Sequence, residues 1–139
     1  MKREKRLDIR LLYTTLGLAL CLTACKKERA FVGIWRTEID TEVSTDIHRV
    51  MFFSDQTCSW NDSIYSKTDS VWRQGSIGGS FSVDGDDILN AAFSKTIPAK
   101  DTTAQDSVYS FQRSFKKEDD RRLYCEELDA FFDFVQRLR

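Results

Sequence analysis

Residues 80–93 read SFSVDGDDILNAAF, and this stretch decides the fold class. A run of alternating small polar and apolar residues leads into Asp84-Gly85-Asp86, and a mainly apolar run follows it. Alternation with a period of two is typical of a half-buried β-strand, and an Asp-Gly pair tolerates the positive φ angles of a tight turn. The stretch therefore predicts an antiparallel hairpin with strands at 80–83 and 87–93.

Similar strand-like runs and turn residues recur along the chain. Further strands are predicted at 33–39, 47–53, 58–60, 71–77, 108–115, 122–128 and 132–138, with a polar loop at 94–106. Residues 122–138 also approach helical spacing, so a helix stays open there, although alternating Tyr124, Phe132 and Phe134 favour strands. Seven to nine strands joined by hairpins indicate an all-β fold. We expect an antiparallel up-and-down barrel of about eight strands, because closure leaves no unpaired edge.

The first 24 residues have the layout of a secretory signal peptide. Five basic residues among the first ten precede an uncharged run, 11–24. As a helix this run would span roughly 21 Å, less than a bilayer core of about 30 Å, so a cleaved signal is favoured over a transmembrane anchor.

Leu22-Thr23-Ala24-Cys25 resembles the lipobox of bacterial lipoproteins. The resemblance implies cleavage before Cys25, attachment of lipid to Cys25, and anchoring in the bacterial envelope, at the outer membrane. Lys26-Lys27-Glu28 leaves the choice of leaflet open. The expected organisation is a signal peptide at 1–24, a short tether at 25–30 and a barrel domain at 31–139.

Composition excludes several function classes. Residues 1–24 hold five of the 21 basic and two of the 22 acidic residues, so the remaining chain has a net charge of about −4 and no footprint for nucleic acid. No catalytic or cofactor motif is present, and we expect neither an enzyme nor a cofactor. Cys58, Cys125 and His48 lack metal-ligand spacing, so no metal is expected.

The sequence leaves two interpretations open for the cysteines of the domain, and two for its histidine. An exported protein permits a disulfide between Cys58 and Cys125, and two buried free thiols are the alternative. On an alternating strand, His48 shares a face with Val50 and Phe52. It would line a cavity there, although such a histidine more often has a structural role.

Three motifs resemble, in this order, those of lipocalins and lipocalin-like bacterial proteins. They are Phe31-Val32-Gly33-Ile34-Trp35-Arg36, then Phe52-Phe53-Ser54-Asp55-Gln56-Thr57 with Gln56 in place of glycine, then Gly79-Ser80-Phe81-Ser82-Val83-Asp84-Gly85-Asp86. The resemblance covers 31–138. It implies that Trp35 plugs the closed end of a barrel, that Gly33 allows close backbone approach, and that Arg137 lies across the Trp35 ring. Arg113 and Arg122 are the alternatives to Arg137.

The same resemblance implies a binding protein for a small hydrophobic ligand. A small eight-stranded barrel has room for one such ligand. The alternative is a barrel filled by its own side chains, in an envelope protein that binds a protein or glycan partner through an exposed apolar surface. The aromatic residues expected to point inward are Phe52, Trp60, Trp72, Phe81 and Phe111.

Four triplets of Asp, then Ser or Thr, then a small or aliphatic residue resemble an O-glycosylation motif of exported proteins in some Gram-negative bacteria. The candidate modification sites are Ser63, Ser70, Thr102 and Ser107. The alternative is that the triplets are ordinary turn sequences beside strands.

Overall fold

The computed structural model describes residues 27–101 and 103–138, and their fold is a closed antiparallel barrel of eight strands. The strands are β1 (Gly33–Asp40), β2 (Ser44–Phe52), β3 (Thr57–Ser66), β4 (Val71–Asp84), β5 (Ile88–Ile97), β6 (Ser107–Asp119), β7 (Arg122–Cys125) and β8 (Ala130–Gln136). Each strand pairs with the next along the chain, and β8 pairs with β1. Every strand therefore finds both neighbours within the described residues, and the predicted all-β barrel of about eight strands is confirmed.

Most of the predicted hairpins are present. The Asp84-Gly85 turn joins β4 to β5, and Gly85 has the positive φ of 65° that the turn requires. The helix considered for 122–138 is wrong, because this segment forms β7, a 3₁₀ turn at Glu126–Leu128, and β8. The segment forms strands and not a helix because Leu123 and Phe132 then face each other across β7 and β8, and both are fully buried in the barrel.

A break predicted between the strands at 71–77 and 80–83 is wrong, since β4 runs without interruption from Val71 to Asp84. Gly79 marks a close approach of two backbones within this strand. A Cβ atom on Gly79 would lie 2.1 Å from the carbonyl oxygen of Ala92 on β5. Gly79 therefore lets β4 pass close to β5 without ending the strand.

The two ends of the barrel differ. The closed end carries the turns that follow β2, β4 and β6, and the open end carries those that follow β1, β3, β5 and β7. Residues 27–31 cover the closed end. Lys27 forms a 2.7 Å ion pair with Asp86, Gln56 donates a 2.6 Å hydrogen bond to Glu28, and the ring of Phe31 is fully buried. The described chain thus enters the barrel at its closed end.

Trp35 is held at this closed end by its neighbours. Its indole is fully buried, and its Nε1–H donates a 2.8 Å hydrogen bond to the Phe31 carbonyl. The rings of Trp35 and Phe134 form a T-shaped pair with their centroids 5.0 Å apart. Gly33 has a φ of 155°, and a Cβ atom there would lie 2.6 Å from Phe134. Gly33 thus gives the Phe134 ring its space beside Trp35.

Among the described residues, the expected contact of the Arg137 guanidinium with the ring of Trp35 is absent. Strand pairing places Phe134 opposite Trp35, so the aromatic ring occupies the position expected for the guanidinium. Arg137 is exposed. An arginine does meet a tryptophan in this barrel, but the pair is Arg113 and Trp60.

Aromatic side chains fill most of the interior. The fully buried ones are Phe31, Trp35, Phe52, Phe93, Phe115 and Phe132. Of the residues expected to point inward, Phe52, Trp60 and Phe81 are buried and Phe111 packs half-buried against them. Trp72 is the exception. It is 52% exposed and pairs with Tyr65 on the outer face, because the inner positions of β4 are those of Ile77 and Phe81.

No helix of the part that the structure describes is long and apolar enough to cross a membrane.

Candidate binding site at the open end of the barrel

A cavity of about 160 Å³ lies inside the open end. Its lining includes Trp60, Asp62, Gly75, Lys95, Tyr109 and Phe111. These residues continue the inner faces of β3 to β6 beyond the packed aromatic core. Gly75 leaves space in the wall, since a Cβ atom at this position would meet no atom within 4 Å. We call this space the open-end cavity.

One side of the open-end cavity is held in place by His48, Asp62 and Trp60. His48 Nδ1 and Asp62 Oδ1 are 2.6 Å apart, and the indole Nε1–H of Trp60 donates to the same carboxylate oxygen. The pairing of β2 with β3 sets His48 directly opposite Asp62. His48 is largely buried, so this shared carboxylate fixes the positions of two rings at the cavity wall.

Arg113 lies against the same wall from β6. Its guanidinium carbon is 4.6 Å from the centre of the Phe111 ring and 5.6 Å from that of Trp60. Nη1 donates a 2.8 Å hydrogen bond to the carbonyl of Gln112. Nε is buried and has no hydrogen-bond partner among the described residues. Arg113 therefore packs its cation against two aromatic rings that line the cavity, although Arg113 is not itself among the lining residues.

Exposed apolar side chains surround the mouth of the barrel. They are Val43, Val71, Trp72, Ile97, Val108 and Tyr109, and each is at least 46% exposed. All six lie at the strand ends or turns of the open end. We call this set the apolar rim. It borders the open-end cavity at Tyr109, which belongs to both.

The two domain cysteines are both buried free thiols. Cys58 lies on β3 and Cys125 at the end of β7, and both belong to the packed core. Burial raises the pKa of each thiol to about 12. Cys125 also donates a long 3.5 Å hydrogen bond to Glu127. The free-thiol alternative is the state present in this structure.

These thiols are expected to resist alkylation and disulfide exchange in the folded chain. The thiolate is the reactive form, and with a pKa of about 12 it is scarce at neutral pH. In a chain that begins at Lys26, a chromogenic disulfide reagent should titrate no thiol natively and two after denaturation. Two thiols reacting at once under native conditions would contradict the burial, and none after denaturation would reveal a disulfide.

The other predicted sites are dispersed. Ser63 lies within β3 and is half-buried, whereas Ser70 in the turn after β3 and Ser107 at the start of β6 are exposed. Exposed turn positions are more accessible to a modifying enzyme than the middle of a paired strand. Cys25 and Thr102 lie outside the described residues.

Sequence reasoning identified only part of the open-end cavity. His48 and Trp60 were expected to face inward, but Asp62, Lys95 and Tyr109 were not singled out. Lys95 falls in what was predicted as a polar loop, and β5 in fact extends to Ile97. Alternation along the strand would have predicted that Lys95 lies on the inner face, because it follows the buried Ala91 and Phe93 at a spacing of two residues.

Comparisons of this chain with protein-family models, with curated proteins and with solved structures find no match. Within 27–101 and 103–138, no group of three metal-ligating side chains comes together. The open-end cavity, with its aromatic and charged lining, is therefore the feature from which function is inferred.

Proposed function

We propose that the protein is a lipid-anchored, lipocalin-like binding protein of the bacterial envelope that holds a small, mainly apolar ligand in the open-end cavity. The observation that carries the proposal is the cavity itself, walled by Trp60 and Phe111 and left open by Gly75. Concave sites with aromatic walls and a few polar groups are the usual form of small-molecule sites. The order of the lipocalin-like motifs supports the same role.

The size of the cavity limits the ligand. About 160 Å³ is below the roughly 300–1,000 Å³ of typical ligand pockets, because aromatic side chains occupy the rest of the interior. The ligand is therefore either a small molecule or the end group of a longer one. In the second case the remainder would lie against the apolar rim.

The proposed anchor has a consequence for orientation. Cys25 precedes Lys27 by two residues, and Lys27 pairs with Asp86 at the closed end. Lipid on Cys25 would hold the closed end against the membrane, since the linking segment is too short to reach the other end. The open-end cavity would then face away from the membrane, where it meets dissolved ligands. Two or three acyl chains are enough for stable anchoring.

The proposed role involves binding without catalysis. The only histidine of the chain, His48, has its Nδ1 engaged by Asp62, and Asp62 is shared with Trp60. This arrangement positions side chains at the cavity wall.

Native mass spectrometry of the full chain, expressed in a bacterium that processes lipoproteins, tests both parts of the proposal. The wild-type protein should carry a covalent acylglyceryl mass that Cys25→Ser lacks. It should also carry a non-covalent mass that leaves on denaturation and is missing from Gly75→Leu. A Cβ atom at this position would meet nothing within 4 Å, and the leucine is expected to occupy the space next to it in the cavity.

A clean mass for the folded chain, unchanged when hydrophobic compounds are added, would overturn the ligand part. An unmodified Cys25 in a processed chain would overturn the anchor.

A second candidate function is the binding of a protein or glycan partner through the apolar rim. Its supporting observation is the exposure of six apolar side chains around one end of the barrel. This function predicts an empty cavity and loss of partner binding in Trp72→Ser, with no effect of Gly75→Leu.

A further inference from the structure

We infer that residues 107–112 of β6 bind an extended peptide segment of a partner protein, which adds to the sheet as a further strand. The inference uses the backbone of the barrel wall and does not rest on the proposed binding of a small ligand. It starts from the unequal lengths of the last three strands. β6 has 13 residues, whereas β7 has four and β8 has seven. Strand pairing therefore closes the barrel only in the half nearer its closed end.

One edge of β6 has no neighbouring strand toward the open end. On one side, β6 pairs with β5 from Ser107 to Lys116. On the other side, it pairs with β7 only from Phe115 onward, because β7 ends at Cys125 and the chain then turns. No other backbone hydrogen bond reaches residues 107–113 within the described part of the chain. We call residues 107–112 on this side the β6 edge.

The hydrogen-bonding groups of the β6 edge point outward at alternate residues. The backbone N–H of Ser114 donates a 2.9 Å hydrogen bond to the Glu127 carboxylate, so it faces the side on which β7 lies. No register shift interrupts the pairing of β6 with β5. Residues at a spacing of two from Ser114 therefore face the same side, and these are Gln112, Ser110 and Val108. The Gln112 carbonyl accepts a side-chain hydrogen bond, whereas Val108 and Ser110 have both backbone groups available to a partner strand.

The exposure of the aromatic rings on β6 follows the same boundary. Tyr109, Phe111 and Phe115 share the inner face of the strand at a spacing of two. Phe115, which lies beside β7, is fully buried. Phe111 is half-buried and Tyr109 is 56% exposed, because no strand lies beside them. An added strand would cover these two rings with its own inward side chains.

The β6 edge also lacks the features that normally protect an unpaired strand. Natural sheets block such edges with charged side chains, proline or a bulge. The corresponding edge of β1 has charges, since the exposed Glu38 and Asp40 each form a 2.7 Å ion pair. Residues 107–112 read SVYSFQ, without a charge or a proline, and the strand has no bulge there. The β6 edge is therefore able to pair with another strand.

A single peptide strand fits the β6 edge better than a second copy of this chain. Where β7 and β8 lie between them, β6 and β1 are three inter-strand steps apart, about 14 Å. A peptide in line with β7 would occupy the first of these steps. Two barrels that paired their β6 edges would each have β1 in the path of the other. The expected peptide alternates, with apolar side chains beside Tyr109 and Phe111 and uncharged polar side chains between them.

Amide hydrogen exchange tests this pairing in a chain that begins at Lys26, which contains all eight strands. Without peptide, the N–H groups of Val108 and Ser110 should exchange rapidly, and those of Tyr109 and Phe111, which face β5, should exchange slowly. The probes are two capped hexapeptides, one of alternating threonine and valine and one of alternating threonine and phenylalanine. At a concentration tenfold above the Kd, either peptide should slow exchange at Val108 and Ser110 about tenfold.

Two variants and one modified peptide separate strand addition from other contacts. The same peptides with methylated amide nitrogens keep their side chains but cannot donate, so they should give no protection. Ser110→Pro removes an N–H from the β6 edge without breaking a bond to β5, and should weaken binding about tenfold.

Glu38→Pro is the matched control on the other unpaired edge. The hydrogen bond from the Thr41 N–H to the Ser44 carbonyl turns odd-numbered residues of β1 toward β2, so the Glu38 N–H faces away from β2. This variant should bind the peptides as the wild type does. The indole signal of the buried Trp35 verifies that both proline variants are folded.

The contrary outcomes are equally specific. Slow exchange at Val108 and Ser110 in a monomer without peptide would show that the edge is already paired, and would overturn the inference. Protection that grows with protein concentration in a dimer would assign the edge to a second copy. Equal protection by the methylated peptides, or none by any peptide at millimolar concentration, would overturn strand addition. Gly75→Leu should lose the small ligand and keep the peptide, so this inference and the proposed function can fail separately.

Discussion

Replacing Trp35 by alanine is expected to lower the free energy of unfolding by about 3–5 kcal/mol, the usual cost of removing a fully buried large aromatic side chain. The indole is fully buried at the closed end, forms a T-shaped pair with the ring of Phe134 and donates a hydrogen bond to the Phe31 carbonyl. The alanine variant would leave a cavity and an unsatisfied carbonyl at the point where β1 meets β8. Urea unfolding followed by circular dichroism measures the difference. Total stabilities of small domains are about 5–15 kcal/mol, so the loss is a large fraction.

Trp72→Ala is the matched control, since the same side chain is removed from the outer face. Trp72 is 52% exposed and contacts Tyr65, so its removal should cost less than about 1 kcal/mol. If Trp35→Ala does not fold, Trp35→Phe keeps an aromatic ring and removes only the hydrogen bond and part of the volume. Equal effects of Trp35→Ala and Trp72→Ala would contradict the described closure of the barrel.

Gly79→Ala is expected to destabilise the barrel by about 3 kcal/mol, at the upper end of the usual range for overpacking. The added methyl group would lie 2.1 Å from the Ala92 carbonyl oxygen and 2.9 Å from its carbon. These are backbone atoms of β5, which cannot turn aside as a flexible side chain can. Relief would require β4 and β5 to separate, and with them several hydrogen bonds between the strands. Thermal and urea unfolding both measure the effect.

The neighbouring glycine provides the control for this prediction. Gly78 is exposed, and a Cβ atom there would meet nothing within 4 Å. Gly78→Ala should therefore be neutral or stabilise by up to about 1 kcal/mol, because alanine restricts the unfolded chain. Comparable losses for the two variants would show that glycine is required for strand flexibility in general. The predicted difference between adjacent positions comes from the approach of Gly79 to Ala92.

These two predictions concern the closed end and the middle of the barrel, whereas the proposed site lies at the open end. Stability and binding can therefore be measured on separate sets of variants, with Trp35 and Gly79 changed to measure stability and Gly75 changed to measure binding.

The sequence by itself determined the features that depend on a few neighbouring residues. Alternation along the strands predicted the β class, and Asp84-Gly85 predicted the turn between β4 and β5, because both are local properties of the backbone. The number of hairpins then indicated a closed barrel of about eight strands. The resemblance also drew attention to Trp35, which is fully buried, and to Gly33, where a Cβ atom would lie 2.6 Å from Phe134.

Only the tertiary structure decided which side chains meet across the barrel. Pairing of β1 with β8 placed Phe134, and not Arg137, against Trp35, and the phase of β4 turned Trp72 outward. The contact of Arg113 with Trp60 joins residues far apart in sequence. Alternation shows that a strand has two faces, but the register among eight strands decides which face is inside and what stands opposite. The open-end cavity exists for the same reason: it is the space left where the inner faces of β3 to β6 extend beyond the packed core.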